Sequence, residues 1–189
     1  LHSFYLDKMR SAYDLKIFIR PEARLAMHWK IIRDKIKRGY TAEQVLVQIR
    51  KREPDRIKYI EPQSKYADIL VELMCEDSIK VLGDESESPQ LYLRMRFKNS
   101  VYLDDLIEKL ERISKLMLHH YYDDDEYQFV EFRGEVTELN LENIAQDLLP
   151  GLDEIGVNNP EWPLAFHGII VLFISYYIFD DEGRMIEGA

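Results

Sequence analysis

The sequence predicts an α/β fold from three observations. An apolar run, YDLKIFIRP at residues 13–21, is followed at once by a stretch whose apolar residues recur at helical spacing. A second apolar run, ADILVEL at 67–73, comes after a further helical stretch, and strand, helix and strand in succession are the grammar of a sheet with helical crossovers. Beyond residue 89 strand-like alternation returns in QLYLRMRF (90–97), KLMLHHYY (115–122) and YQFVEFRGEV (127–136).

Each element has a local reason. Residues 13–21 read as a buried strand that Pro21 ends, and residues 22–37 as an amphipathic helix with Leu25, Trp29, Ile32 and Ile36 on its apolar face. Gly39 stops that helix. Thr41 with Gln44 forms a capping box for a second helix reaching to about Arg52, and EPQSKYADILVEL (61–73) is a loop feeding a strand. GDESESP at 83–89 is a polar break, so a division into residues 1–82 and 83–189 is expected. LDDLIEKLERI (103–113) is a helix between strands, and helical stretches around 138–149 and 162–179 close the chain. No internal repeat is found.

Composition bounds what the chain can be. With 189 residues, 46% of them hydrophobic, it can bury one sizeable core, or a core plus a flap. A single cysteine, Cys75, excludes an intrachain disulfide framework and suits a reducing compartment, so a cytoplasmic location is expected. WPLAFHGIIVLFISYYIF (162–179) is long enough to raise the question of a membrane span. Pro163, His167, Gly168 and Ser175 interrupt it and acidic residues flank both ends, which predicts a buried helix or subunit interface, with no membrane partner.

Charge is unevenly spread over a chain of net −10. Residues 1–66 hold 16 Lys and Arg against 8 Asp and Glu, a surplus of +8, and the remainder holds 9 against 27, or −18. The acidic remainder argues against nucleic acid, which needs a continuous basic surface, and favours a small phosphorylated ligand at the basic third. WKIIRDKIKRGYT (29–41) concentrates five basic residues. At 100° per residue Lys30, Arg33 and Lys37 share one helix face, flanked by Asp34 and Arg38, with the apolar set opposite. Periodicity leaves two readings open: a solvated face stitched by ion pairs, or a grip for an anion.

The stretch WKIIRDKIKRGYTAEQVLVQIRKREPDRIKYIEPQSKYADILVEL (29–73) resembles the phosphoribulokinase family, whose members carry W-K-I-x-R-D, R-G-H/Y-S/T, K-P-D and I-x-P-Q-x-x-Y-A-D in this order. The third motif departs from the pattern, with Glu53 before Pro54 and Asp55. The opening LHSFY is similar to the family's G-L-H stretch, and FRGEVTELNLENI (132–144) with the last apolar helix is similar to its carboxy-terminal region. Uridine kinases share the R-D, R-G and P-x-x-x-Y-A-D skeleton but carry Pro-Thr where this chain has Pro62-Gln63.

The resemblance implies a P-loop kinase-type α/β sandwich, with lid helices, a mixed sheet and carboxy-terminal helices. It implies transfer of the ATP γ-phosphoryl group to O1 of ribulose 5-phosphate, with ATP and Mg²⁺ as cofactors of the full-length protein. The apolar last helix and alternating strands such as QLYLRMRF and YQFVEF separately predict homo-oligomers formed through a sheet edge or helix face. No glycine precedes Gly39, and Gly151 and Gly156 have the Walker A spacing but are followed by Val157 and Asn158. The phosphate loop, the catalytic aspartate and the magnesium ligands are therefore expected upstream of Leu1, with no cofactor held by this chain and no turnover by it alone. Within the chain the resemblance assigns Arg33, with Lys30 as companion cation, to the transferring phosphoryl group. Arg38 and His2 are assigned to sugar phosphate or effector, and Pro62, Gln63, Tyr66 and Asp68 to the nucleotide base. Asp34 is expected to orient the cations. His119, His120 and the aspartates beside them read as a solvated loop, adjacent strand residues facing opposite ways, so no metal ligand is assigned. A nucleoside kinase of the uridine kinase type, and a non-catalytic dimerisation or regulatory module, remain the competing functions.

Overall fold

The computed structural model of the chain describes residues 3–123, 125–149, 162–163 and 165–187, the last eight by backbone alone. His2, Gly151 and Gly156 lie outside the described residues. The chain divides into two compact units, Leu1–Met95 and Arg96–Ala189.

In the first unit a short helix, α1 (Asp7–Arg10), precedes strand β1 (Ile17–Pro21), helices α2 (Ala23–Arg38) and α3 (Ala42–Asp55), and strand β2 (Ile69–Cys75). The first two strands pair in parallel, from Ile17 opposite Ile69 to Pro21 opposite Leu73, as a crossover through helices allows. Asp68 sets that register. Its N–H donates to the Lys16 carbonyl at 2.8 Å, and its carboxylate accepts from the Lys16 N–H at 2.9 Å while pairing with the Lys16 ammonium at 3.0 Å.

Helix α2 ends where Gly39 takes a left-handed φ of 66° and returns its N–H to the Lys35 carbonyl. The capping box is formed: the Gln44 N–H donates to Thr41 Oγ1 at 3.3 Å, and Gln44 Oε1 accepts from the Thr41 N–H at 2.9 Å. Helix α3 passes Arg52 and reaches Asp55 with Pro54 in its last turn. Proline brings no N–H to the helical ladder, and just beyond it the chain widens into a single π turn, Arg56–Ile60, then tightens into a 3₁₀ helix, Glu61–Tyr66. The stretch expected as a loop before β2 is thus helical.

The buried face of α2 is not the expected one. Leu25 and Ile31 are buried together with His28 and Asp34, while Trp29 is 38% and Ile36 66% exposed. The reason is a polar seat on this side. The Gly83 N–H donates to His28 Nδ1 at 3.1 Å and the Gly83 carbonyl accepts from Lys35 Nζ at 3.1 Å, contacts that apolar spacing does not register.

Strand β3 (Leu91–Lys98) runs through the division between units, and the strand order is β1-β2-β3-β5-β4, a mixed five-stranded sheet. The second unit holds α4 (Asp104–Ile113), β4 (Met117–Tyr122), β5 (Tyr127–Arg133), α5 (Glu138–Leu148) and α6 (Phe166–Glu187). The fourth and fifth strands form an antiparallel hairpin, from Met117 opposite Arg133 to Tyr122 opposite Gln128. The core of this unit gathers Phe97, Phe132 and Phe173, whose ring centres lie 5.7 Å (Phe97–Phe173) and 5.1 Å (Phe132–Phe173) apart. Ile169, Leu172, Phe173 and Tyr176 form the buried stripe of α6 at helical spacing. Gly168 allows its close approach, since a Cβ there would lie 2.2 Å from Leu141 Cδ1 and from the Pro163 carbonyl oxygen. Among the described residues no helix is long and apolar enough to cross a membrane.

The two histidines of β4 face opposite ways, as the strand period requires. His119 sits beside the Tyr121 ring at 4.9 Å, whereas His120 Nε2 lies 2.8 Å from Gln128 Oε1. Among the described residues no three His, Cys, Asp or Glu side chains converge as metal ligands.

Candidate functional site

One cluster of charge in the first unit is on α2, around Asp34. Asp34 is completely buried, and its carboxylate collects cations from the same helix. Lys30 Nζ, one turn before it, donates to Oδ2 at 2.8 Å, Arg33 Nε donates to Oδ1 at 3.0 Å, and Arg38 Nη1 stands 3.6 Å from Oδ1. Lys30 and Arg38, four residues before and after Asp34, share its helix face, and the long side chain of adjacent Arg33 reaches round to the same carboxylate.

This arrangement has a chemical consequence. A carboxylate with two charge-assisted donors stays ionised: the Lys30 hydrogen bond first, then that of Arg33, lower the Asp34 carboxyl from 3.8 to about 2 against the opposing effect of burial. Asp34 is therefore an anionic anchor at neutral pH and no proton donor. Arg33 is 51% exposed, and with Nε bonded to Asp34 its two terminal nitrogens are the donors it has to offer outward. Such a fork suits two oxygens of one phosphoryl group.

Of the residues assigned to a nucleotide base, Pro62, Gln63 and Tyr66 lie on the 3₁₀ helix and Asp68 lies just before β2. Pro62 is exposed at the start of the 3₁₀ helix. Gln63 is buried, with Nε2 donating to the Tyr59 carbonyl at 2.6 Å and Oε1 accepting from the Phe4 N–H at 2.8 Å. The Arg10 guanidinium lies 3.8 Å from the centre of the Tyr66 ring, and the Lys65 ammonium 4.8 Å from it. Lys65, hydrogen-bonded to the hydroxyl, and then Arg10 lower the Tyr66 hydroxyl below its usual value, although burial opposes them. Asp68 is engaged with Lys16 as described. His2 is outside the described residues.

A second charged array was not anticipated from the sequence. Glu72, buried on β2, accepts from Arg20 Nε at 2.7 Å on β1 and from Arg94 Nε at 2.8 Å on β3. Arg20 also donates to Glu61 at 2.8 Å, Glu61 pairs with Arg56, and Arg56 Nη2 reaches Glu53 at 2.6 Å. Six residues of alternating sign thus join the centre of the sheet to the end of α3. A carboxylate inside the apolar run ILVELMC is the signal that marked it, since a buried charge requires a partner.

Comparison with known proteins places these motifs. Residues 1–80 match the model of the Phosphoribulokinase / Uridine kinase family. A phosphoribulokinase of Synechocystis sp. is 34% identical over 101 residues, covering 53% of this chain and 29% of that protein. A uridine kinase of Halalkalibacterium halodurans is 32% identical over 66 residues, covering 34% of this chain and 31% of that protein. In fold, the chain is similar to a solved phosphoribulokinase from Rhodobacter spheroides, with a TM-score of 0.56 at 23% identity over 82% of this chain and 54% of the other. The chain thus spans about a third or less of the two curated relatives and about half of the solved one. The cations of α2 and the 3₁₀ helix both fall inside residues 1–80, the segment that is similar to the Phosphoribulokinase / Uridine kinase family.

Proposed function

We propose that this chain is the lid-bearing, carboxy-terminal portion of a phosphoribulokinase-like enzyme that transfers the γ-phosphoryl group of ATP to O1 of ribulose 5-phosphate. The observation that carries the reading is the grip of buried Asp34 on Lys30 and Arg33 within a segment that matches the family. Phosphoryl transfer is accelerated by positioning and by fixed positive charge where negative charge accumulates. Arg33 would place its terminal nitrogens on the transferring group, Lys30 would add a second charge, and Asp34 would hold both in place without reorganisation. Arg38, more loosely tied at the helix end, would meet the sugar phosphate or an effector. The described residues offer no converging metal ligands.

The phosphoribulokinase acceptor is preferred to a nucleoside because the Synechocystis phosphoribulokinase matches over 101 residues and the uridine kinase over 66. The test is the acceptor dependence of ADP release by the full-length protein. Stimulation by ribulose 5-phosphate supports the reading, and stimulation by uridine instead replaces it. No stimulation by either reduces the segment to a non-catalytic dimerisation or regulatory module. On the same reading the 189-residue chain alone turns over no ATP. Self-association is part of the proposal: β4 is an edge of the sheet and exposes Met117 and Tyr122.

A further inference from the structure

One side of α2 is occupied over three turns by the segment that follows β2. Arg24 Nε donates to the Ile79 carbonyl at 3.0 Å, His28 Nδ1 accepts from the Gly83 N–H at 3.1 Å, and Lys35 Nζ donates to the Gly83 carbonyl at 3.1 Å. Between the last two, Ile31 packs directly on the Gly83 backbone, where a Cβ would lie 2.2 Å from Ile31 Cγ2. Residues 24, 28, 31 and 35 form one stripe of the helix. Gly83 suits this seat twice over, having a left-handed φ of 78° and no side chain to collide with Ile31. The strap is ordered by itself: the Lys80 and Val81 N–H groups donate to Glu87 at 3.0 and 2.8 Å, and the Ser86 N–H to Asp84 at 2.9 Å.

A backbone N–H can only donate, so His28 Nδ1 is the acceptor in the buried contact. His28 is itself fully enclosed. The strap stripe borders the position of Asp34, since Ile31 and Lys35 are its neighbours at one turn and one residue. Rotation of α2 away from the strap would carry Asp34 out of its buried position and turn Lys30 and Arg33 with it.

We propose that His28 is a positioning residue for phosphate binding: by accepting the Gly83 N–H it seats the 79–87 strap on α2 and sets the rotation at which Asp34 presents Lys30 and Arg33 outward. This rests on the proposed function for its ligand class, a polyphosphate, but the seating itself does not.

The test compares His28→Leu, which keeps bulk and loses the acceptor, with His28→Asn, whose Oδ1 stands where Nδ1 stands. Three readouts are taken on the 189-residue chain: hydrogen exchange at the Gly83 amide, exchange at the Arg33 Nε proton, and affinity for inorganic tripolyphosphate. His28→Leu should speed both exchanges about tenfold, the worth of one buried hydrogen bond, and weaken tripolyphosphate by a similar factor. His28→Asn should restore all three to within about twofold of wild type, which a loss of mere packing would not allow. Should His28→Leu fail to fold by circular dichroism, Lys35→Met removes the other grip on Gly83 and should move the same readouts in the same direction. The inference is overturned if Gly83 exchange rises with no change at Arg33, or if the asparagine behaves as the leucine does. If exchange responds as stated but tripolyphosphate affinity is indifferent to both His28→Leu and Arg33→Ala, the positioning role falls together with the phosphate reading, and only the seating stands.

Discussion

Asp34 and Arg33 are adjacent on α2 and opposite in exposure: the carboxylate is fully buried, and 3.0 Å away the guanidinium it holds is half exposed. The acid thereby turns a flexible surface cation into one with a fixed Nε. Asp34→Asn should release that hold while leaving the charge of Arg33 unchanged. Because the folded carboxyl lies near 2 and the unfolded one at 3.8, its contribution to stability is complete above about 3.8 and disappears as pH falls towards 2. Urea unfolding of wild type and Asp34→Asn should show wild type the more stable at about pH 5, with the difference closing by about pH 2. A pH-independent difference would show that the ion cluster is not its source.

Glu72 is the middle of the alternating array, with Arg20 and Arg94 on either side. Glu72→Leu leaves two arginines without their shared carboxylate and should lower stability by about 1–3 kcal/mol. Glu72→Gln, which keeps an acceptor, should lose less. Equal losses in equilibrium denaturation would mean that packing, not charge, accounts for the site.

Thr41 caps α3 with both halves of its box in place. Thr41→Ala should cost about 1 kcal/mol and lower Tm by a few degrees, with Thr41→Ser close to wild type. Differential scanning calorimetry distinguishes this from an unused cap, for which the alanine would be silent.

What was legible in the sequence follows from what local chemistry decides. The Thr41–Gln44 box, the Gly39 stop and the end of β1 at Pro21 depend on neighbours in sequence, and each is where expected. The second capping box, Thr137 with Asn140, uses asparagine in place of the usual Glu or Gln and gave no such signal. Periodicity misread the buried face of α2 because it counts apolar side chains. Burial of His28 and Asp34 comes from a glycine 55 residues away and from cations on the same helix, which apolar spacing does not register. Lys30, Arg33 and Arg38 were found by motif and do cluster; Asp34 as their organiser was expected, and its complete burial was not. Arg10, which stacks on Tyr66, was missed because cation–π pairing between α1 and the 3₁₀ helix has no sequence period.

The strand order leaves β1 and β4 at the sheet edges, while QLYLRMRF and YQFVEF, which alternate most clearly, lie inside it. Self-association should therefore use β4, where Met117 is 66% and Tyr122 60% exposed. Light scattering at high concentration should give the mass of a dimer or larger, and Met117→Lys with Tyr122→Lys should return it to a monomer. A wild-type monomer at every concentration would refute the proposed assembly.

Arg33, on the proposed function, meets charge that develops during phosphoryl transfer. Steady-state kinetics of Arg33→Ala in the full-length protein, folded as judged by circular dichroism, is the most direct test of that role. The account predicts a fall in kcat of about 10³-fold or more with KM for ribulose 5-phosphate far less affected, and poor rescue by Arg33→Lys, which lacks the planar fork. Arg38→Ala should act mainly on KM. An Arg33→Ala enzyme that keeps most of its kcat would contradict the account and return the basic face of α2 to a solvated surface held by Asp34.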